Sequence, residues 1–182
     1  MNTATISAEK SDAQLVQRLK AGDTTAIDPL YWRYAPGLLR LASNLTDSRD
    51  DAEDVVQDVF VGLERALRHY TEEGSLERWL RRVTVRVALS RQRATRRRRE
   101  VDLVPTIASP FPNEADSLPD RLMIEKAIAA LPDHLREVFV LKELEHYSHS
   151  EIGEMLGIRR GTSEVRFFRA IRVLRDQLKS EL

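Results

Sequence analysis

The 182-residue sequence contains no cysteine, which excludes disulfide bonds, thiolate metal sites and cysteine nucleophiles and is typical of a reducing cytosol. Glycine and proline are scarce, with 7 of each, and only 6% of the residues are aromatic. No apolar run approaches the roughly 18 residues needed to span a bilayer, and the first residues lack a signal-peptide pattern. We therefore expect a soluble, cytoplasmic chain without membrane insertion.

Net charge is also absent, because 29 basic side chains balance 29 acidic ones, but the charges are separated along the chain. Residues 51–73 have a net charge of −5, and residues 74–100 have ten arginines against two glutamates, a net charge of +8. Residues 120–158 then carry −4 and residues 159–182 carry +4. Such blocks indicate surfaces for different partners, the basic ones being candidate phosphate-binding surfaces; the alternative is that charged runs merely keep helices soluble.

Helical periodicity is abundant, because apolar residues recur every three to four positions along most of the chain. The predicted helices cover about 12–22, 24–44, 48–67, 75–97, 120–130, 132–145, 148–156 and 160–180. The pair Pro36–Gly37 is expected to kink or interrupt the second helix. Residues 100–118 contain three prolines and no helical period, which predicts an extended linker. We expect an all-α fold of two small helical domains, 12–99 and 119–182, joined by this linker.

The clearest local motif covers residues 148–178, in which a serine cap, a short helix, a turn at Gly157 and a longer helix follow one another. This order predicts a helix-turn-helix, whose second helix enters the DNA major groove. Val165, Phe168, Ile171 and Leu174 form its expected buried stripe. Its arginine, glutamate and hydroxyl side chains suit guanine, cytosine and phosphate. The candidate DNA contacts are Arg159, Arg160, Thr162, Ser163, Glu164, Arg166 and Arg169. An ordinary helical hairpin with basic solvent-facing residues is the alternative.

The arginine-dense helix at 78–99 is the second candidate for nucleic acid. Arginines can bind backbone phosphates while an aromatic ring, from Tyr70 or Trp79, stacks on unpaired bases. Trp79 also shares the spacing of the apolar residues Leu76 and Leu80, which favours packing in the core for this side chain. We therefore expect the arginines, more than Trp79, to contact DNA.

The acidic helix at 50–67 leaves carboxylates three and four residues apart on its outer face, an arrangement that can grip a basic protein surface. Nothing nearby suggests catalysis. His146 and His149 are spaced for chelation, but Ser148 should cap a helix between them, which favours a surface loop. The sequence predicts no catalytic residue, no metal, no cofactor and no small-molecule substrate.

Three stretches together resemble the bacterial RNA polymerase sigma factors of the extracytoplasmic-function group of the sigma-70 family. Residues 51–63, DAEDVVQDVFVGL, are similar to the family's segment that docks on the polymerase clamp helices. Residues 75–99 resemble its promoter −10 recognition and melting segment, and residues 131–175 its −35-reading helix-turn-helix. The sequence departs from the family pattern at several positions: Arg86 replaces the usual Asn, Ser90 replaces Asp, Ser163–Glu164 replaces Val–Lys, and Gly153 replaces Ala.

The resemblance implies a non-enzymatic factor that binds core RNA polymerase, reads the −35 element of promoter DNA with its helix-turn-helix and melts the −10 element. The contacts implied with the clamp helices of the largest polymerase subunit are Asp51, Asp54, Gln57, Asp58 and Val61. The contacts implied with the −10 element are Tyr70, Arg82, Arg86, Arg93 and Arg97. By the same likeness, an anti-sigma factor would cover these surfaces.

Two other classes remain open at this point. A stand-alone helix-turn-helix regulator with a helical effector domain explains residues 120–182 equally well, but leaves the acidic and arginine-rich pair at 51–99 without a purpose. A metal- or ligand-binding helical enzyme is supported only by His146 and His149.

Overall fold

In a computed structural model of the chain, the structure describes residues 11–71, 75–102 and 119–180, with side chains except those of 96–102, 119–122 and 180. Every regular element within these ranges is helical, which confirms the predicted all-α class. The α-helices are α1 (Asp12–Lys20), α2 (Ile27–Leu45), α3 (Arg49–Val61), α4 (Leu63–Leu67), α5 (Leu76–Asp102), α6 (Pro119–Ala129), α7 (Asp133–Phe139), α8 (His149–Leu156) and α9 (Arg160–Ser180).

Helices α1 to α5 form an N-terminal bundle in which α2, α3 and α5 pack against one another. Ser11 and Ser48 cap α1 and α3 by accepting hydrogen bonds from amides three residues on, as helix starts require. The core consists largely of leucine, including Leu30, Leu41 and Leu80, each of which is fully buried. Burying one such side chain stabilises a fold by about 1.5–3 kcal/mol, so the apolar stripes hold α3 and α5 side by side.

Three boundaries differ from the sequence prediction. Pro36 lies inside α2 without interrupting it, although it has no amide to donate to the carbonyl of Trp32. Gly62 separates α3 from α4, where a single helix is predicted. Helix α5 continues to Asp102, so the first residues of the predicted linker are helical; residues 103–118 lie outside the described ranges.

Helices α6 to α9 form the C-terminal bundle. Helix α7 continues into a π-helical turn, Val140–Leu144, before α8 begins behind a capping box of Ser148 and Glu151. Gly157 ends α8 in the left-handed conformation with φ of 67°, which confirms the predicted turn glycine. The turn also needs Gly153, because a Cβ there would lie 2.7 Å from the carbonyl oxygen of Ile158. The close approach explains why glycine stands at this position.

Candidate nucleic-acid and protein interfaces

The acidic helix α3 presents its predicted contact residues along its outer face. Asp54 and Asp58 face α5, where both bind one guanidinium: Arg91 donates to their carboxylates at 2.8 and 2.7 Å. The hydrogen bond with Asp58 raises the pKa of Arg91. Both carboxylates remain half exposed, so solvent screens the ion pairs and they contribute little to stability. Asp51 is exposed one turn earlier and donates its amide to the hydroxyl of Ser48 at 3.0 Å.

Gln57 and Val61 lie beside this pair on the outer face of α3 and line an open groove of about 770 Å³. Tyr31 and Trp32 of α2 form part of the facing wall. The side chains of Trp32 and Val61 are 78% and 79% exposed. Large apolar side chains exposed together mark a surface that binds another macromolecule. The predicted contact set therefore divides into a carboxylate pair and an apolar groove.

The groove between α2 and α3 is not predicted from the sequence. Neither Tyr31 nor Trp32 is among the contact residues that the sequence predicts. A signal was available, because position 32 falls outside the helical repeat that Leu30, Tyr34 and Leu38 share. A tryptophan outside the core stripe of an amphipathic helix has no place to be buried within its own bundle.

Several arginines of α5 point toward the C-terminal bundle. Arg81 makes two hydrogen bonds with the carboxylate of Glu145, at 2.7 Å from Nε and 2.5 Å from Nη2. This bond raises the pKa of Arg81, and the side chain of Glu145 is only 4% exposed. Arg78 and Arg82 lie 3.9 and 3.8 Å from Glu151. The second acidic block of the sequence thus contacts the first basic one.

The other arginines predicted to bind the −10 element differ in their surroundings. Arg93 is exposed and donates from Nη2 to the carbonyl of Met155 at 3.1 Å. Arg86 is exposed and makes no ion pair with any residue that the structure describes. Arg97 lies outside the residues whose side chains are described. Arg82 is half buried and lies beside Glu151.

Tyr70 requires a correction, because its ring is buried and not presented to a base. The ring lies 5.1 Å from that of Trp79, with the ammonium of Lys20 5.7 Å above it. Trp79 is partly buried and packs against the core, which agrees with the core-packing interpretation of its spacing. The aromatic pair closes the bundle beside the start of α5.

Helices α8 and α9 form the predicted helix-turn-helix, joined by Gly157 through Arg159. Of the predicted contacts, Arg159, Arg160 and Thr162 are exposed at the start of α9, Arg169 is exposed near its middle, and Arg166 is half buried. Glu164 accepts a hydrogen bond from Nε of Arg160 at 2.8 Å, one helical turn away. The first half of α9 therefore presents a mainly basic surface.

Ser163 is a second correction, because it is fully buried and its hydroxyl lies 2.9 Å from Nδ1 of His149. The side chain joins α8 to α9 and is not available to DNA in this structure. The buried face of α9 follows Ser163, Ala170 and Leu174, spaced by seven and four residues.

The apolar stripe predicted for α9 is wrong at two of its positions. Val165 and Phe168 are 50% and 70% exposed, because the buried face runs through Ser163 and Phe167 instead. On the outer face of this basic helix, Val165 stands beside Thr162 and Arg169, which are three and four residues away. This buried face is hard to recognise in the sequence, because Ser163 is polar and Ala170 is small.

Within the described ranges, no group of three or more His, Asp or Glu side chains is arranged to hold a metal ion. His146 lies at a turn with φ of 57°, and the ring of His149 is engaged with Ser163. No helix in the described part of the chain is long and apolar enough to cross a membrane.

Two family models match the chain, sigma-70 region 2 over residues 30–98 and sigma-70 region 4 over residues 121–174. The ECF RNA polymerase sigma-E factor of Escherichia coli is 30% identical over 178 residues, which cover 91% of this chain and 93% of that protein. The ECF RNA polymerase sigma factor SigM of Mycobacterium tuberculosis is 28% identical over 162 residues, covering 89% of this chain and 82% of SigM.

Two solved structures of similar fold are also sigma factors or their complexes. The sigma factor RpoE of Bartonella quintana, in complex with the anti-sigma factor NepR, aligns with a TM-score of 0.65 and 25% identity. The alignment covers 84% of this chain and 96% of RpoE. CnrH, in complex with the cytosolic domain of CnrY, aligns with a TM-score of 0.58 and 25% identity over 92% of this chain and 97% of CnrH.

Proposed function

Because the chain belongs to the extracytoplasmic-function group of the sigma-70 family of RNA polymerase sigma factors, we propose how its surfaces divide the work of starting transcription. As a sigma factor it directs core RNA polymerase to promoters. The described features that support a division are the carboxylate pair with its groove on α3, the arginines of α5 and the exposed basic start of α9. We assign the domains 12–99 and 119–182, with a linker between them, to these tasks.

The surface of α3 binds the clamp helices of the largest polymerase subunit. Asp51, Asp54 and Asp58 provide the anionic part of this surface, while Gln57 and Val61 contribute the groove. An apolar groove with a charged border is the usual composition of a protein interface, in which apolar contacts give affinity and charges select the partner. Trp32, on the facing helix, joins the set as the residue with the largest exposed apolar area.

The core-binding assignment is tested by replacing Asp54 and Asp58 with arginine. We expect at least about a tenfold loss of affinity for core polymerase, because like charges facing each other across an interface are strongly unfavourable. Both side chains are exposed, so the helical content measured by circular dichroism should not change. A control chain with arginine at Glu143 and Asp176, both exposed in the other bundle, carries the same total charge. Equal affinity of the two variants for core polymerase would refute the assignment.

The arginine face of α5 captures the −10 element once its strands separate. Arg82, Arg86, Arg93 and Arg97 bind phosphates, and bases held in protein pockets offset the few kcal/mol that each lost stacking interaction costs. Tyr70 acts through Trp79 in shaping the surface, since its own ring is buried.

The outer face of α9 reads the −35 duplex. Arg159, Arg160, Thr162, Arg166 and Arg169 supply polar contacts, and Glu164 orients Arg160 through their hydrogen bond. Val165 adds an apolar contact that suits the methyl group of thymine, which lies in the major groove. We therefore expect a thymine preference at one −35 position, removed by Val165→Ser.

The thymine assignment can be tested without knowledge of the promoter. Duplexes with randomised −35 elements are selected by the holoenzyme, and the selected thymines are then replaced one at a time by uracil, which lacks only the methyl group. We expect several-fold weaker binding at one position with the natural chain, and no effect of uracil there with Val165→Ser. An equal effect of uracil on both chains would exclude Val165 as the reading residue.

The observation that carries the function is the match of both family models, in order, across a fold with two basic helices. The stand-alone regulator is not favoured, since the region 2 match covers residues 30–98, which that class leaves unexplained. We further propose that the chain acts in the cytoplasm without catalysing a reaction, and that an anti-sigma factor restrains it. Run-off transcription from a promoter pool tests the proposal: transcripts should require both core polymerase and this chain, and their absence would refute it.

A further inference from the structure

One arginine of α5, Arg91, is bound to the acidic helix α3. Its Nε donates to Oδ2 of Asp58 at 2.7 Å, and its Nη1 donates to Oδ2 of Asp54 at 2.8 Å. The two aspartates are four residues apart in α3, so their side chains lie one helical turn apart on the same side of the helix. A single guanidinium therefore bridges two of the carboxylates that we propose for core binding.

Arg91 lies on a different side of α5 from the arginines proposed for the −10 element. At 3.6 residues per turn, Arg82 is about 180° from Arg91 around the helix, Arg86 about 140° and Arg93 about 160°. The contacts agree with this placement, because Arg82 lies 3.8 Å from Glu151 of α8 whereas Arg91 binds α3. Arg91 is thus one of the ten arginines of the basic block at 74–100, yet it belongs to the acidic surface.

The bridge adds little to the stability of the N-terminal bundle. The side chain of Arg91 is 38% exposed, and those of Asp54 and Asp58 are 55% and 49% exposed. Solvent screens ion pairs of this exposure, so each contributes less than about 1 kcal/mol. The apolar core, which includes Val55 of α3 and Leu89 of α5, joins the two helices without the bridge. A role in binding a partner explains the bridge better than a role in folding.

The bridge holds together two carboxylates that would otherwise repel each other. Like charges four residues apart on a helix are unfavourable, and an unrestrained aspartate samples several rotamers. Asp54 and Asp58 each give only Oδ2 to Arg91, so Oδ1 of each can accept a hydrogen bond from a partner. Ordering a side chain during association costs about 0.5–1.5 kcal/mol, and the bridge removes that cost from the binding step.

Resting on the function proposed above, we propose that Arg91 is a positioning residue of the core-binding surface: it holds Asp54 and Asp58 in the conformation that accepts basic groups of the clamp helices. Charge alone predicts the opposite effect. Arg91 is a cation beside a surface that binds a basic partner, so removing its charge would tighten binding if only the total charge mattered. Positioning predicts weaker binding, and the sign of the change therefore separates the two explanations.

The test measures the affinity of the full-length chain for core polymerase. Arg91→Gln removes the bridge, and Arg175→Gln makes the same change of charge at an exposed site of the other bundle. We expect about three- to tenfold weaker affinity for Arg91→Gln and no change for Arg175→Gln. Arg91→Lys should be intermediate, because an ammonium keeps the charge but lacks the planar fork that binds two carboxylates at once. Thermal unfolding should be nearly the same in all of these chains.

The same substitution in a chain without the two carboxylates shows whether Arg91 acts through them. When Asp54→Asn and Asp58→Asn are already present, adding Arg91→Gln should leave the affinity for core polymerase unchanged, because no carboxylate remains to be positioned. An equal loss in both backgrounds would mean that Arg91 contacts polymerase directly and would overturn the inference. Tighter or unchanged binding of Arg91→Gln in the natural background would also overturn it.

Failure of the proposed function gives a different result. If the chain with Asp54→Asn and Asp58→Asn binds core polymerase as tightly as the natural chain, the carboxylates are not contacts, and the assignment of α3 fails together with the inference. If that chain binds more weakly while Arg91→Gln binds normally, the assignment of α3 stands and only the positioning role of Arg91 is refuted.

Discussion

Helices α5 and α9 are the two basic helices among the described residues, and they differ in how many of their arginines bind side chains of other helices. On α9 the basic side chains near the helix start are exposed, and the pairing between Arg160 and Glu164 lies within one turn of the same helix. On α5, Arg81 and Arg91 bind carboxylates that other helices bring to them. Local sequence charge therefore identifies a nucleic-acid surface but not its availability, which depends on what the fold packs against it.

The largest expected effect is a loss of stability in the C-terminal bundle, which contains α9, with no change in the bundle that contains α5. Gly153→Val should destabilise the C-terminal bundle by about 3 kcal/mol, because the new Cβ would meet a backbone oxygen at 2.7 Å that cannot rotate away. Gly161→Val is the control, since nothing lies within 4 Å of a Cβ there. Urea unfolding followed by circular dichroism measures both variants. A cost for Gly153→Val no larger than for the control would show that the turn can relax.

The next prediction concerns the open surface of α9. Arg169→Ala should weaken holoenzyme binding to a selected −35 duplex by about 2 kcal/mol if the arginine contacts a base. Arg175→Ala, an exposed arginine almost two turns further along α9, should have a much smaller effect. Fluorescence anisotropy at two salt concentrations measures the affinity. Equal losses in the two variants would mean that α9 contributes only diffuse charge.

The smallest expected effect concerns Glu151, which caps α8 and lies near the arginines of α5. Hydrogen bonds from the backbone and hydroxyl of Ser148, at 2.9 and 2.8 Å, lower the pKa of its carboxyl from the ordinary 4.5. Its stabilising contribution is therefore complete above that ordinary value and is lost as the pH falls through the lower, folded-state value.

Glu151→Gln should accordingly flatten the fall in stability between about pH 6 and pH 3, the range in which carboxylates titrate. Glu154→Gln, an exposed residue of the same helix, should leave the profile unchanged. Thermal unfolding across this range measures the effect. A profile for Glu151→Gln that is as steep as that of the natural chain would contradict the role of the cap.

Much of the architecture was predictable from the sequence, because the stripes of α2, α3 and α5 repeat every three to four residues and the turn at Gly157 needs a residue that tolerates positive φ. What could not be predicted depends on contacts between distant segments. Glu145 and Arg81 are 64 residues apart, and nothing near either residue indicates that they pair.

The remaining wrong predictions in the candidate sites concern which side chains are buried and which are exposed. Ser163 is buried because a histidine fourteen residues earlier satisfies its hydroxyl, which lets a polar residue occupy the core face of α9. Val165 and Phe168 then turn outward, against the expectation that apolar residues are buried. Tyr70 is buried because Trp79, in the first turn of α5, provides it with a packing partner.

In the proposed division of work, an anionic surface binds polymerase while two cationic surfaces bind one promoter. The most direct test of this division is footprinting of a selected promoter by the chain alone and by the chain with core polymerase, with permanganate probing for unpaired thymines. We expect no sequence-specific protection by the chain alone, and with polymerase both −35 protection and reactive thymines at −10. Full protection of a short duplex by the chain alone, unchanged on adding polymerase, would contradict it.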